Sequence, residues 1–145
     1  ILKIPLTMAI IESIYFKVGE MRFCLPIDDI VEFQKVESRQ VTRTEGRRCV
    51  LRLRDEILPV IELYRFFDVP EAKRNIEECI IIIAQIGGKK AALMADEILD
   101  NRQVVIKPLP EYIGKMRSVS GCSIMGSGEI GLIIDTSSLF KVELD

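Results

Sequence analysis

The sequence predicts an all-β fold built as two small barrels packed together. Three observations predict it. Apolar residues recur with the two-residue period of strands, in short runs separated by turn residues. No long helical period appears anywhere in the 145 residues. The chain also carries one pattern twice. Gly19-Glu20-Met21-Arg22-Phe23-Cys24-Leu25-Pro26-Ile27-Asp28-Asp29-Ile30 recurs from Gly87 to Ile98, an offset of 68. Glu56-Ile57-Leu58-Pro59-Val60-Ile61-Glu62 recurs from Glu129 to Asp135, an offset of 73, so the second copy holds five extra residues. Two copies are too few for a solenoid. At roughly 65 residues, neither copy buries enough surface to be comfortable alone. They are expected to share a core.

The elements follow in order. In Ile14-Tyr15-Phe16-Lys17-Val18, the residues Ile14, Phe16 and Val18 share one face. Phe23, Leu25 and Ile27 do the same after the turn at Gly19-Glu20, which makes a hairpin. Pro26 cannot donate to a ladder and belongs at an edge or a strand end. Cys49, Leu51 and Leu53 face one way and Arg52 and Arg54 the other. A turn at Asp55-Glu56 leads to Ile57–Ile61, a second hairpin. Leu63 to Phe67 reads as one or two helical turns closing the first barrel, residues 12–68. Residues 69–78, with Pro70 and many charges, form the linker.

Residues 79–145 make the second barrel. Cys79-Ile80-Ile81-Ile82-Ile83-Ala84 does not alternate, so both of its faces are expected to be buried, near the seam between the copies. Lys89 to Ala95 pairs with it. Val104 to Lys107 is a further strand, ended by Pro108 and Pro110. Ser123 to Met125 and Ile130 to Ile134 form the last hairpin around Gly126-Ser127-Gly128, whose glycines supply positive φ. Thr136 to Phe140 is a short closing helix, with Asp135 or Thr136 as its N-cap.

Composition narrows the function. Net charge is −2, which gives no global attraction to nucleic acid or anionic membranes. The apolar runs fall far short of a span of about 20 residues, and no signal peptide is apparent. The chain begins with Ile, not Met, and reads as a piece of a longer protein. Its four cysteines, Cys24, Cys49, Cys79 and Cys122, form no C-x-x-C pair, and there is no His to complete a zinc set. Reduced, buried cysteines of a cytoplasmic protein are the favoured reading, and two disulfides the alternative.

Without His, Ser-His and Cys-His catalysis and phosphorylation on His are excluded for this chain. The acids are the remaining catalytic candidates. Asp28, Asp29, Asp96 and Glu97 occupy matched positions, as do Glu62 and Asp135, and a symmetric pair could do acid-base or metal work. Each sits where a strand meets a turn or helix, so capping explains the placement without chemistry. Gly126-Ser127-Gly128 lacks the Gly-Lys-Ser/Thr ending of a phosphate loop. Arg39, Arg43, Arg47, Arg48, Arg52 and Arg54 make a basic stretch without interleaved aromatics, which disfavours single-strand binding. It reads as a solvated face or as a protein contact. No catalytic, cofactor-binding or metal-binding residue is expected.

The assembled motifs resemble a known family. Val18-Gly19 with Phe23-Cys24-Leu25-Pro26-Ile27 resembles the opening hairpin of CheW-like regulatory domains, such as that at the C-terminal end of the chemotaxis histidine kinase CheA. Val50-Leu51-Arg52-Leu53-Arg54-Asp55-Glu56-Ile57-Leu58-Pro59-Val60 resembles a second stretch. Asp96-Glu97-Ile98-Leu99 with Val104-Val105-Ile106-Lys107-Pro108-Leu109 resembles a third, and Ser120 to Asp135 a fourth. Asp100-Asn101 replaces the usual Gly-Gln, and Asp55 a usual Gly; both tolerate left-handed turns. Ile4 to Ile11 resembles the junction with the kinase's ATP-binding domain, so residues 1–11 are expected to be that junction.

The resemblance implies two five-stranded barrels like Src-homology-3 folds. It also implies a non-catalytic scaffold that binds the coupling protein CheW and the cytoplasmic tips of chemoreceptors. The parent kinase would dimerise through another domain, and its ATP site and phosphorylated His would lie outside these residues. A cytoplasmic location beside membrane receptor arrays follows, without membrane insertion. A free-standing CheW-type coupling protein is the alternative; a carboxylate-dependent enzyme and a nucleic-acid binder are remoter ones. Val41, Leu58 and Val60, with Arg52 and Arg54, are the expected partner contacts. Ordinary core is the competing reading for the three apolar ones.

Overall fold

A computed structural model describes residues 10–43, 49–69, 75–108, 118–124 and 128–144. The strands are β1 (Ile10–Val18), β2 (Met21–Pro26), β3 (Ile30–Gln34), β4 (Val41–Arg43), β5 (Cys49–Leu53), β6 (Glu56–Ile61), β7 (Ile80–Ile86), β8 (Lys89–Ala95), β9 (Glu97–Val105), β10 (Val119–Ile124) and β11 (Ile130–Ile134). Helices α1 (Leu63–Phe66) and α2 (Thr136–Leu144) each follow the last hairpin of a copy. The calls on residues 1–9 of the junction, on Arg47 and Arg48, on residues 70–74 of the linker, on Leu109 and Pro110 and on Met125-Gly126-Ser127 lie outside the described residues.

The strands form two sheets, and neither follows the sequence halves. One has the order β10-β11-β2-β1-β9 and the other β3-β7-β8-β6-β5-β4. Each sheet draws strands from both sequence stretches, 12–68 and 79–145. Each sheet takes a hairpin from one copy and the closing hairpin of the other. The joins are parallel: Ile133 of β11 lies beside Cys24 of β2, and Val60 of β6 lies beside Ala92 of β8. These pairs are equivalent, because Val60 to Ile133 is 73 residues and Cys24 to Ala92 is 68. The hairpins match in register too, with Val18 opposite Met21 and Ile86 opposite Lys89. Parallel neighbours need a crossover, and here the rest of each copy supplies it.

The reciprocal arrangement explains the burial. β7 lies between β3 and β8, and Ile81, Ile82, Ile83 and Ala84 are all buried, as the unbroken apolar run predicts. Alternation puts Ile14, Phe16 and Val18 of β1 into the main core with Phe23 and Leu25 of β2. The opposite face of that sheet carries a smaller cluster of Tyr15, Cys24, Val104 and Ile133. An aromatic row crosses from one sheet to the chain end of the other. Phe16 stacks on Phe23 at 5.8 Å, Phe23 meets Phe67 at 4.7 Å, and Phe67 meets Phe66 edge-on at 4.9 Å. Fully burying one such side chain is worth roughly 2–3 kcal/mol.

Three differences from the sequence reading have local causes. The second sheet has six strands, not five, because β4 adds to the edge of β5. β9 begins at Glu97 rather than Val104; its polar residues hide the strand period, yet they pair with β1 from Lys17 to Ile10. β3 also pairs along an edge, where Val31 and Phe33 remain exposed. Pro26 ends β2 as expected. Pro59 stands inside β6, opposite Val50 of β5, but outside the parallel pairs with β8, where its missing N–H would be felt.

The exchange of hairpins carries a direct consequence. Residues 1–69 and 70–145 expressed separately should each lack a dispersed amide NMR spectrum, and mixing them should restore it. A dispersed spectrum from either half alone would contradict this topology.

Candidate functional site

The β5–β6 hairpin presents the surface on which the expected contacts fall. β5 alternates strictly: Cys49, Leu51 and Leu53 are buried, and Arg52 is exposed. The chain reverses at Arg54-Asp55, with Arg54 at φ 57°. A non-glycine residue there costs on the order of 1 kcal/mol. The Arg54 guanidinium reaches Glu32 on β3 through contacts of 2.9 and 3.3 Å. Hydrogen bonds from Gln34 and Arg54 hold the Glu32 carboxyl below the usual carboxylate range. Nearby, Lys90 on β8 pairs with Glu56 at 3.3 Å.

The five expected contact residues fall into three environments. Arg52 and Arg54 are exposed. Val41 and Val60 are half-buried and pack against the main core. Leu58 is only 5% exposed and belongs to that core, so its side chain offers no surface to a partner. The exposed apolar residue of this hairpin is its neighbour. Ile57, directly opposite Arg52, is 64% exposed. Alternation carried the signal: once Leu58 faces inward, Ile57 must face outward. The corresponding hairpin of the other copy, β10–β11, places exposed Ile124 opposite Ile130. Each copy thus ends in an exposed isoleucine on a hairpin, with arginine opposite it in one and isoleucine in the other. Val41 also lines a cavity of ≈ 340 Å³ with Cys49, Glu62, Ile76 and Met94.

The acids are dispersed among structural tasks. Asp96 accepts a hydrogen bond from the Gly19 N–H at 2.9 Å, while its own N–H donates to the Lys17 carbonyl at 2.8 Å. It thereby ties the β8–β9 junction to the β1–β2 turn. Its matched residue Asp28 is exposed. Asp135 is the N-cap of α2, accepting from the Ser138 N–H at 3.2 Å. Glu62 accepts from the Tyr64 hydroxyl at 2.7 Å and faces Arg65 at 3.6 Å. Burial is the main cause that pushes the Tyr64 hydroxyl up. Asp29 does meet other acids. Burial raises its carboxyl, and the charges of Asp28 and Asp135 raise it further. Among the described residues no group of three His, Cys, Asp or Glu side chains is placed to hold a metal ion. All four cysteines are buried. Burial pushes the Cys24 thiol up to about 11, which removes the thiolate that reactivity needs. Among the described residues no helix is long and apolar enough to cross a membrane.

The CheW-like domain family matches residues 12–144. The chain belongs to this family. It is 36% identical over 136 residues to a chemotaxis protein CheA of Klebsiella aerogenes, covering 94% of this chain and 21% of that protein. A CheA of Bacillus subtilis is 32% identical over 138 residues, 95% of this chain and 20% of that protein. The chain thus spans about a fifth of the length of these curated relatives. Among solved structures, the scaffolding protein TtCheW of Thermoanaerobacter tengcongensis superposes with a TM-score of 0.73 at 24% identity. That match covers 87% of this chain and 89% of the other, and it carries the fold alone. The mostly β architecture of two sheets is the CheW-like fold.

Two measurements separate the roles of the acids in this CheW-like domain. Asp96→Ala should cost about 1–2 kcal/mol in urea unfolding, the worth of a charge-assisted hydrogen bond, and Asp28→Ala no more than ~0.5 kcal/mol. Asp29 binds a proton more readily folded than unfolded. Its favourable contribution is complete below the unfolded carboxyl range, near pH 4, and lost as pH rises through the higher folded value. Asp29→Asn should therefore stabilise the domain at pH 7, with the gain vanishing by pH 3. An equal gain at both pH values would contradict this assignment.

Proposed function

We propose that this chain is the regulatory CheW-like segment of a chemotaxis histidine kinase. It docks the coupling protein CheW and the cytoplasmic tips of chemoreceptors, and passes receptor state to an attached kinase. The observation that carries the reading is the alignment of 94% of the chain to one fifth of a CheA at 36% identity. The kinase chemistry then belongs to other parts of the parent protein, whose dimerisation also lies outside these residues. The absence of His agrees with a domain that holds no phosphorylated His. The place of work is the cytoplasmic side of receptor arrays.

The docking surface is the β5–β6 end. Exposed Ile57 stands beside Arg52 and Arg54, and half-buried Val41 and Val60 lie on the same strand group. An apolar centre rimmed by arginine is a composition that interfaces favour. Leu58 acts from beneath, by holding Ile57 outward. A free-standing coupling protein is the second reading. It is favoured by the match to TtCheW, which covers 89% of that shorter chain. Coding sequence for an ATP-binding domain immediately upstream decides between the two.

Calorimetry with purified CheW tests the docking. Binding in the micromolar range is expected, and Ile57→Asp should weaken it at least about tenfold, as loss of an interface anchor does. Heat indistinguishable from dilution at ~0.5 mM protein would overturn the proposal, since such a Kd leaves less than ~5 kcal/mol of binding energy.

A further inference from the structure

The β5–β6 hairpin reaches past the strands that flank it. β4 covers β5 from Cys49 to Leu51, and β6 pairs with β8 at Val60 and Ile61. Among the described residues, the stretch 52–59 therefore makes its ladder pairs within the hairpin and not with a neighbouring strand. Leu53 and Leu58 fasten its inner face to the core. Its tip turns at Arg54, whose φ of 57° is unfavourable for a residue with a Cβ. The exposed Ile57 takes its direction from this segment.

Three polar tethers hold the segment from outside. Gln40 donates to the Arg52 carbonyl at 3.4 Å. Lys90 on β8 pairs with Glu56 at 3.3 Å. Arg54 presents two guanidinium nitrogens to the two carboxylate oxygens of Glu32, at 2.9 and 3.3 Å. A two-point arginine–carboxylate contact fixes direction as well as distance. Gln34 donates to the same carboxylate and steadies it. β3 and β5 stand near opposite ends of the order β3-β7-β8-β6-β5-β4. The Glu32–Arg54 pair thus draws the β3 edge to the hairpin tip.

The duplication separates these tethers. Arg22 and Glu129 match Lys90 and Glu56 at the offsets of 68 and 73, and they too form an ion pair, at 2.6 Å. That tether is common to both copies. The match of Glu32 is Asp100, and the match of Gln34 is Arg102. Asp100 pairs with Arg102, two residues along its own strand, at 3.1 Å. The match of Arg54 in the sequence is the uncharged Ser127. The strand-to-hairpin clasp therefore belongs to the copy that carries the proposed docking surface.

We propose that Glu32 is a positioning residue for docking. It engages Arg54 and holds the hairpin tip so that Ile57 meets CheW in a fixed direction, and Arg54 serves docking through this clasp. The proposal rests on the docking reading above.

Glu32→Gln removes the clasp and leaves the hairpin's own residues unaltered. An exposed ion pair adds little to stability, so the thermal midpoint should stay within ~2 °C of the parent's. Amide hydrogen exchange at residues 52–57 should quicken at least about fivefold, with β7 unchanged. Affinity for CheW by calorimetry should fall about threefold to tenfold, as a loosened segment must be ordered on binding. Reversing both charges, Glu32→Arg with Arg54→Glu, should restore the slow exchange and the affinity. Unchanged exchange in Glu32→Gln, unchanged affinity, or a reversed pair that restores slow exchange without restoring affinity would each overturn the proposal. If the unaltered chain gives no heat with CheW, the docking reading falls by itself, and the exchange comparison still decides whether the clasp holds the hairpin.

Discussion

The parallel joins between copies are the constraint on which the structure depends. β2 and β8 are internal strands only because β11 and β6, from the opposite closing hairpins, lie beside them. Removing either join would expose an edge of a strand that carries core residues, Phe23 to Leu25 in β2 and Ala91 to Ala95 in β8. Neither copy can therefore complete a sheet from its own sequence. The duplication forms an interlocked unit, in which each half supplies strands to the other's sheet. A single large core follows between the sheets, with Phe23 of the five-stranded sheet packed on Phe67, which follows β6 of the other sheet and belongs to the same copy.

Interlocking also sets where the copies are free to differ. Residues at the joins keep their register, as Val60–Ala92 and Ile133–Cys24 do. Differences accumulate at turns and edges. Pro59 shortens one join by leaving the pairing with β8 to begin at Val60, whereas its counterpart Leu132 pairs with Phe23. Asp96 clasps a hairpin turn through the Gly19 N–H, while Asp28 points to solvent. The turn of one hairpin uses Gly87-Gly88, both at positive φ; the other uses Gly19 alone. These are the places where a duplicated domain can acquire unequal surfaces without weakening the common core.

The strand content and the pairing within each hairpin were legible because they are local. Alternation in β1 and β5 and the glycine turns specify them within a few residues. The unbroken run Ile80–Ala84 further revealed a strand buried on both faces. What sequence could not show was the partner across each parallel join. An apolar strand end such as Val60-Ile61 is satisfied equally well by any neighbouring β-branched or small residue, so the pattern records burial and not the identity of the neighbour. β9 escaped for another reason. Asp100 to Gln103 are polar because they face solvent at an edge, and a strand that buries little shows no period. On the β5–β6 hairpin the sequence left Leu58 open between partner contact and ordinary core; its burial places it in the core, while Ile57 faces solvent.

The Ile57–Leu58 pair bears on the docking proposed for this hairpin. Leu58 and Ile57 are adjacent, yet one belongs to the core shared by both halves and the other to the surface. Force applied by a partner at Ile57 is resisted by Leu58, Leu51 and Ile61, and these pack into the same cluster as β7 and β8. Close-packed interiors deform little and transmit strain. A surface anchored this way can hold a partner at a fixed orientation relative to the other sheet. The rigidity comes from the exchanged strands, because a barrel joined to its neighbour only by a linker would swing. Interlocking therefore does for geometry what two separate binding domains could not: it keeps two unequal ends at one angle.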